Sequence, residues 1–266
     1  MEEELNKTSS IKIKTKNAIP SIFTLSNMAF GMMAILSISR EEYITACYFI
    51  IGSYIMDILD GRVARFIGAE TEIGIELDSF SDWLSFGIAP AYMIYEFALK
   101  EYGIVAYPVV LIYVICGALR LVRFNLKSLS GESSKTFFQG LPIPAAAGVI
   151  VFFVLSYSII ESDLPSKTIS LLNKHMPLLY TIFPFIMIII SLLMISSVPY
   201  VALKSGKNFK VKSPLGLLAT VSVIFLFIFY PQNALLIFFF LYAISGIIYF
   251  FYRLFFSKNT GNTENK

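Results

Sequence analysis

Charged residues are scarce in this chain. Asp, Glu, Lys and Arg make up 15% of its 266 residues, whereas soluble domains contain about 25%. The formal net charge is only +3, which argues against a nucleic acid partner because such a partner requires a strongly basic surface. By contrast, 56% of the residues are hydrophobic and the mean hydropathy is +0.72. This composition predicts an integral membrane protein.

Cysteine and histidine are scarce as well. The two cysteines, Cys47 and Cys116, lie inside apolar runs, and His175 is the single histidine. The cysteines lack the spacing of a metal site or of a disulfide framework, so we interpret them as small buried hydrophobic residues. Carboxylates are therefore the main candidates for chemistry.

The apolar residues are grouped in runs long enough to cross a bilayer. At about 1.5 Å per residue, a helix needs about 20 residues to cross a hydrocarbon core of about 30 Å. The pattern predicts an all-α polytopic membrane protein with about eight transmembrane helices. The predicted spans are residues 20–38, 43–56, 82–99, 104–122, 142–160, 177–201, 214–230 and 233–256.

Eight spans would place both chain ends on the same side of the membrane. Most of the 21 Lys and Arg residues fall on that side, which the positive-inside rule identifies as the cytoplasm. We expect a cytoplasmic N-terminal segment over 1–18 and a membrane domain over 19–204. Two additional transmembrane helices are expected within 205–256, followed by a disordered tail over 257–266.

Four aspartates lie in the stretch between the second and third predicted spans: Asp57, Asp60, Asp78 and Asp82. If both flanking helices continue into the stretch, the first two are i, i+3 and the last two are i, i+4, so each pair lies on one helix face. Two such helices facing each other would bring four anions together. Because these anions would repel strongly, the pattern favours a divalent cation, and all-oxygen ligands favour Mg²⁺ or Mn²⁺.

Three neighbouring residues suit a phosphate ligand. Gly61 and Gly74 have no Cβ, so backbone and ligand can approach closely there. Arg65 supplies a bidentate donor of the kind that binds phosphate. One of the carboxylates could act as a general base toward a hydroxyl nucleophile. Together these residues indicate phosphoryl chemistry at a membrane surface, without naming the substrate.

The complete pattern is D-x2-D-G-x2-A-R-x8-G-x3-D-x3-D, from Asp57 to Asp82. It resembles the signature of the CDP-alcohol phosphotransferase family at every position. The resemblance implies a six-helix core, here spans one to six, and a homodimer. We expect the protein in a prokaryotic inner membrane, and the Lys and Arg distribution places the acidic stretch, and with it the active site, on the cytoplasmic side. The resemblance also implies two divalent ions, Mn²⁺ or Mg²⁺, and a general base at Asp82. The implied metal ligands are Asp57, Asp60, Asp78 and Asp82, and the implied CDP-binding residues are Gly61, Ala64, Arg65 and Gly74.

Further stretches resemble family members that use serine as the acceptor. These are residues 120–125, 138–148 and 196–200. The opening at residues 20–27 also resembles the family, but it has Ser21 where the family usually has Asn. The resemblance therefore implies transfer of the phosphatidyl group from CDP-diacylglycerol to L-serine, with release of CMP.

The residues that would bind the acceptor each have a second interpretation. Arg120 and Arg123 could bind the serine carboxylate, or they could be positive-inside anchors whose side chains reach toward the interface. Asn125 could orient the substrate or end a helix. Gln139 could contact the substrate or be a solvated loop residue.

Other acceptors and another class of protein stay open at this point. Glycerol 3-phosphate, inositol phosphate or an archaeal CDP-lipid donor would use the same chemistry. A divalent-cation transporter could also use clustered carboxylates, but these lie at one membrane face and no second acidic cluster continues a path across the membrane.

Overall fold

A computed structural model describes residues 2–68, 71–129, 137–161, 170–201 and 228–256. The chain forms two compact units, Met1–Tyr102 and Gly103–Lys266. Six of the described helices are long and apolar enough to cross a membrane, which confirms an all-α polytopic membrane protein.

The first unit consists of helices around a long first helix. Helix α1 (Glu2–Ile38) packs along α2 (Tyr43–Ile67) and against α3 (Glu72–Asp82). After α3 the chain remains helical and forms a π-helical segment, helix α4 and a second π-helical segment. These three are Trp83–Ile88, Ala89–Ile94 and Tyr95–Leu99.

Small residues let the helices of the first unit approach closely. A Cβ placed on Gly31 of α1 would lie 2.4 Å from the hydroxyl oxygen of Ser85, in the first π-helical segment. The Asn27 carbonyl of α1 accepts hydrogen bonds from Ser53 of α2 at 3.1 Å and from Ser85 at 3.0 Å. One carbonyl group therefore joins three helical segments in a region where unsatisfied polar groups are costly.

The second unit is built around a buried helix. Its elements are helix α5 (Ala106–Leu129), strand β1 (Phe137–Gln139), helix α6 (Ile143–Glu161), helix α7 (Ser170–Ile195), strand β2 (Pro199–Val201) and helix α8 (Pro231–Phe256). In α6, 83% of the apolar span is buried. Phe153 of α6 stacks on Phe183 of α7 at 4.2 Å between ring centroids, and Phe152 stacks on Phe239 of α8 at 5.6 Å. Protein side chains, and not lipid, thus surround most of α6.

The two strands pair antiparallel, with Gln139 opposite Pro199. They were not predicted from the sequence, which indicated only a polar loop before span five and a sixth span running to residue 201. Helix α7 instead ends at Ile195 and the chain enters β2 four residues later, at Pro199.

The number of spans stays a prediction. The path Glu72–Lys127 has 56 residues, enough for the predicted third and fourth spans, and Gly103 breaks it with φ 59° and ψ −135°. Most of the predicted seventh span, the boundary at residues 204 and 205, and the tail over 257–266 lie outside the described residues. The predicted N-terminal segment is helical from Glu2 and continuous with the first span.

Candidate functional site

The turn between α2 and α3 brings the acidic residues of the two helices together. Helix α2 ends at Ile67, and Gly68, which caps it, adopts the left-handed conformation at φ 61° and donates its N–H to the Ala64 and Arg65 carbonyls. Helix α3 starts after Thr71, whose hydroxyl accepts a hydrogen bond from the Gly74 N–H at 3.1 Å. These are common ways to end and to begin a helix.

Three of the four predicted metal ligands form one group. Asp57 and Asp60 of α2 and Asp78 of α3 each offer a carboxylate oxygen, and these oxygens lie within 4.8 Å of one another. Asp60 is 5% exposed, and the other two are half-buried. We call this set the three-carboxylate group. Its close anions repel each other, so it requires a compensating positive charge.

The unsatisfied atoms of this group fit a divalent cation. Oδ2 of Asp60 and Oδ1 of Asp78 are buried and have no hydrogen-bond partner. A buried carboxylate oxygen without a partner is costly, and a small hard cation coordinated by oxygen atoms would satisfy both. Among the residues that the structure describes, this is the one group of acidic, histidine or cysteine side chains close enough to hold a metal ion.

Asp82 is not a member of the three-carboxylate group. It is 9% exposed, and its Oδ1 accepts a hydrogen bond from Nδ2 of Asn27 at 3.3 Å. The convergence of four carboxylates was predicted from helical spacing. The structure brings three together and places the fourth carboxylate against an amide of α1.

Helix α1 contributes polar residues to this region, and sequence analysis assigned no role to them. Asn27 makes the hydrogen bonds described above. In addition, the Thr24 carbonyl accepts a hydrogen bond from Ser81, the residue before Asp82, at 3.0 Å. Asn27 is fully buried. The sequence contains a pattern that points to these two residues. Thr24 and Asn27 are polar, three residues apart, and lie on one face of an otherwise apolar span.

The predicted CDP-binding residues have different surroundings. A Cβ on Gly61 would have only Nη2 of Arg65 nearby, at 3.7 Å, so there is open space beside this glycine. A Cβ on Gly74 would lie 3.0 Å from the Thr71 hydroxyl. This close contact is a local structural reason for glycine at position 74, in addition to the predicted role in CDP binding. Arg65 is exposed, and Ala64 is half-buried.

The predicted acceptor residues all belong to the second unit, so the structure leaves their roles toward the acidic stretch untested. Nη1 of Arg123 donates to the carbonyls of Ile195 at 2.5 Å and Ser196 at 3.4 Å, where it caps the end of α7. Lys127 donates to the side-chain carbonyl of Gln139. Arg120 is 9% exposed and its guanidinium lies 5.4 Å from the ring centroid of Phe124, and Asn125 is half-buried.

Comparison with known proteins identifies a family and several relatives that this chain resembles. The CDP-alcohol phosphatidyltransferase profile matches residues 17–173. A Helicobacter pylori protein named CDP-diacylglycerol–serine O-phosphatidyltransferase is 34% identical over 247 residues, which are 90% of this chain and 95% of that protein. Proteins with the same name are 36% identical in Methanocaldococcus jannaschii, over 68% of this chain and 73% of theirs, and 36% identical in Bacillus subtilis, over 53% and 78%.

Proposed function

The chain belongs to the CDP-alcohol phosphatidyltransferase family, and on this basis we propose that it transfers the phosphatidyl group of CDP-diacylglycerol to the hydroxyl of L-serine. The products are phosphatidylserine and CMP. The single observation that carries the proposal is the three-carboxylate group, found within the part of the chain that matches the family. Serine is supported as the acceptor by the names of the relatives and by the resemblance of residues 120–148.

Each acidic residue has a proposed role. Asp57, Asp60 and Asp78 hold a divalent ion, Mn²⁺ or Mg²⁺, and Asp82 contributes to a second. The chemistry supplied by the bound ions is neutralisation of charge on the diphosphate and on the attacking and leaving oxygens. Asp82 accepts the proton of the serine hydroxyl, and Asn27 holds its carboxylate in place through the hydrogen bond to Oδ1.

The remaining residues of the stretch bind the nucleotide. Arg65 donates to the diphosphate of CDP-diacylglycerol. The open space beside Gly61 lets the nucleotide approach the backbone of α2. Ala64 and Gly74 line the same nucleotide-binding site. The serine oxygen attacks the phosphorus that bears the lipid, a new P–O bond forms, and the P–O bond to CMP breaks with its electron pair on CMP.

We further propose that the site faces the cytoplasm of a prokaryotic cell, that the chain acts as a homodimer, and that residues 19–204 form the catalytic membrane domain. The Lys and Arg distribution supports the orientation. The family resemblance supports the dimer.

The test is CMP release by the purified protein. CDP-diacylglycerol, Mn²⁺ or Mg²⁺, and a panel of alcohols are supplied, and CMP and the lipid product are measured. We expect CMP with L-serine, loss of CMP when the metal is chelated, and loss of both Mn²⁺ binding and turnover in Asp60→Asn. Glu76→Gln, an exposed acid of α3 outside the pattern, is the matched control and should keep both.

Two outcomes contradict the proposal in different ways. CMP with glycerol 3-phosphate or inositol phosphate but not with L-serine would make the acceptor assignment wrong. Metal binding without CMP release from any alcohol would favour a cation transporter.

A further inference from the structure

Strands β1 and β2, which we call the clasp, connect the start of α6 to the end of α7. The Gly140 N–H donates to the Val198 carbonyl at 2.9 Å, and the Leu141 N–H donates to the Leu193 carbonyl at 3.0 Å. Gly140 has φ +79°, and a Cβ there would lie 2.3 Å from the Met194 carbonyl oxygen. The clasp is therefore fitted closely to the end of α7.

Helix α8 holds the clasp from the other side. Tyr200 of β2 is 1% exposed, and its hydroxyl donates to the Ala243 carbonyl of α8 at 2.9 Å. Its ring lies directly on Gly246, where a Cβ would be 2.3 Å from Cζ of Tyr200. No larger residue fits at position 246 unless Tyr200 moves, so this contact sets the distance between β2 and α8.

Two of the proposed acceptor residues lie in the clasp or bind the segment next to it. Gln139 is the last residue of β1 and accepts the hydrogen bond from Lys127 of α5. Arg123, one helical turn before Lys127, binds the carbonyls at the end of α7 just before β2. A shift of β2 would therefore change the positions of both Gln139 and the groups that hold Arg123.

We propose that α8 is a positioning element for acceptor binding, and that Tyr200 seated on Gly246 holds Gln139 and Arg123 in the arrangement that binds serine. This inference rests on the proposed function. It gives a role to the C-terminal helix, which lies outside the six-helix core implied by the family resemblance. Tyr200 and Gly246 are positioning residues, because they act through the clasp.

The experiment introduces bulk at the contact and measures the two substrates separately. In Gly246→Leu, we expect KM for L-serine to rise about tenfold, because small displacements of binding groups have large effects. KM for CDP-diacylglycerol should stay within about twofold, because the proposed CDP-binding residues belong to the first unit. The matched control is Ser245→Leu, which adds the same side chain at the neighbouring, exposed position and should leave both constants unchanged.

A second readout and two further variants guard against simple misfolding. The thermal shift produced by L-serine should be reduced in Gly246→Leu relative to the Ser245→Leu control. Tyr200→Phe removes only the bond to the Ala243 carbonyl and should raise KM for L-serine about threefold, as expected for one hydrogen bond. The double variant Tyr200→Ala/Gly246→Leu should bind serine better than the two single effects would predict, because the smaller residue makes room for leucine.

Two results would overturn the inference. One is an unchanged KM for L-serine in Tyr200→Phe and in every other variant that folds. The other is an equal change in KM for both substrates, which indicates general damage. If the unmodified protein releases no CMP with L-serine, the proposed function fails instead, so the two failures are distinguishable.

Discussion

At the scale of single residues, the structure separates aspartates that the sequence pattern treats alike. Asp57, Asp60 and Asp78 form the three-carboxylate group, whereas Asp82 accepts a hydrogen bond from the side-chain amide of Asn27. A buried carboxylate with an amide partner is held in one orientation, which a general base requires. This contact supports our proposal that Asp82, besides contributing to a second ion, acts as the general base.

Removing the amide of Asn27 tests this distinction. If Asp82 accepts the serine proton, Asn27→Leu should lower kcat about 10²-fold, since a misplaced base transfers protons poorly. KM for CDP-diacylglycerol should change little. The measurement is steady-state kinetics with each substrate varied. Ser26→Ala, which removes only a local bond to the Ile22 carbonyl, is the control, and an equal loss in both variants would contradict the prediction.

At the scale of elements, the uninterrupted apolar runs made the helices predictable, because each satisfies its own backbone within the membrane. The first span was predicted as 20–38 and the fifth as 142–160, and the structure has candidate spans at Pro20–Ile38 and Ile143–Glu161. The clasp was not predictable in this way. Its pairing joins Gln139 to Pro199 across sixty positions, and neither strand shows the alternation that identifies a strand.

The π-helical segments were also beyond sequence analysis. The segment Trp83–Ile88 follows Asp82 directly, and a π-helical turn holds more residues than an α-helical turn. It places Ser85 against the Asn27 carbonyl and next to Gly31. This arrangement depends on packing between helices, which local periodicity does not encode.

The start of α3 gives a test at this scale. Thr71→Ala removes the hydroxyl that accepts from the Gly74 N–H, which should cost about 1 kcal/mol of stability at this helix end. Because α3 carries Asp78, we expect a higher metal concentration for half-maximal activity together with a lower Tm. Thr71→Ser keeps the hydroxyl and should resemble the unmodified protein. Identical metal dependence in all three would contradict a link between this cap and the metal site.

At the scale of the whole molecule, the prediction concerns the orientation of the chain in the membrane. The Lys and Arg bias predicts that the loop before α2 lies outside the cytoplasm and that the loop after α2 lies inside it. Single cysteines at Arg40 and at Glu72, both exposed positions, distinguish the two sides. The native Cys47 and Cys116 are buried and should not react.

We expect a membrane-impermeant maleimide to label Arg40→Cys in spheroplasts and to label Glu72→Cys only after the membrane is permeabilised. The reverse pattern would place the carboxylates on the outer side and make the proposed orientation wrong. Labelling of both before permeabilisation would indicate leaky membranes and require repetition with intact ones.

The burial of α6 has a consequence for how the protein is made. An apolar helix such as α6 can insert into the bilayer by itself and is first surrounded by lipid. It must then exchange lipid for protein neighbours, and one of these, Phe239 stacked on Phe152, belongs to α8. Residues 231–256 leave the ribosome after every other described helix, so the second unit can complete its assembly only late in biogenesis. Until then, the part of α6 that packs against α8 in the folded protein faces lipid.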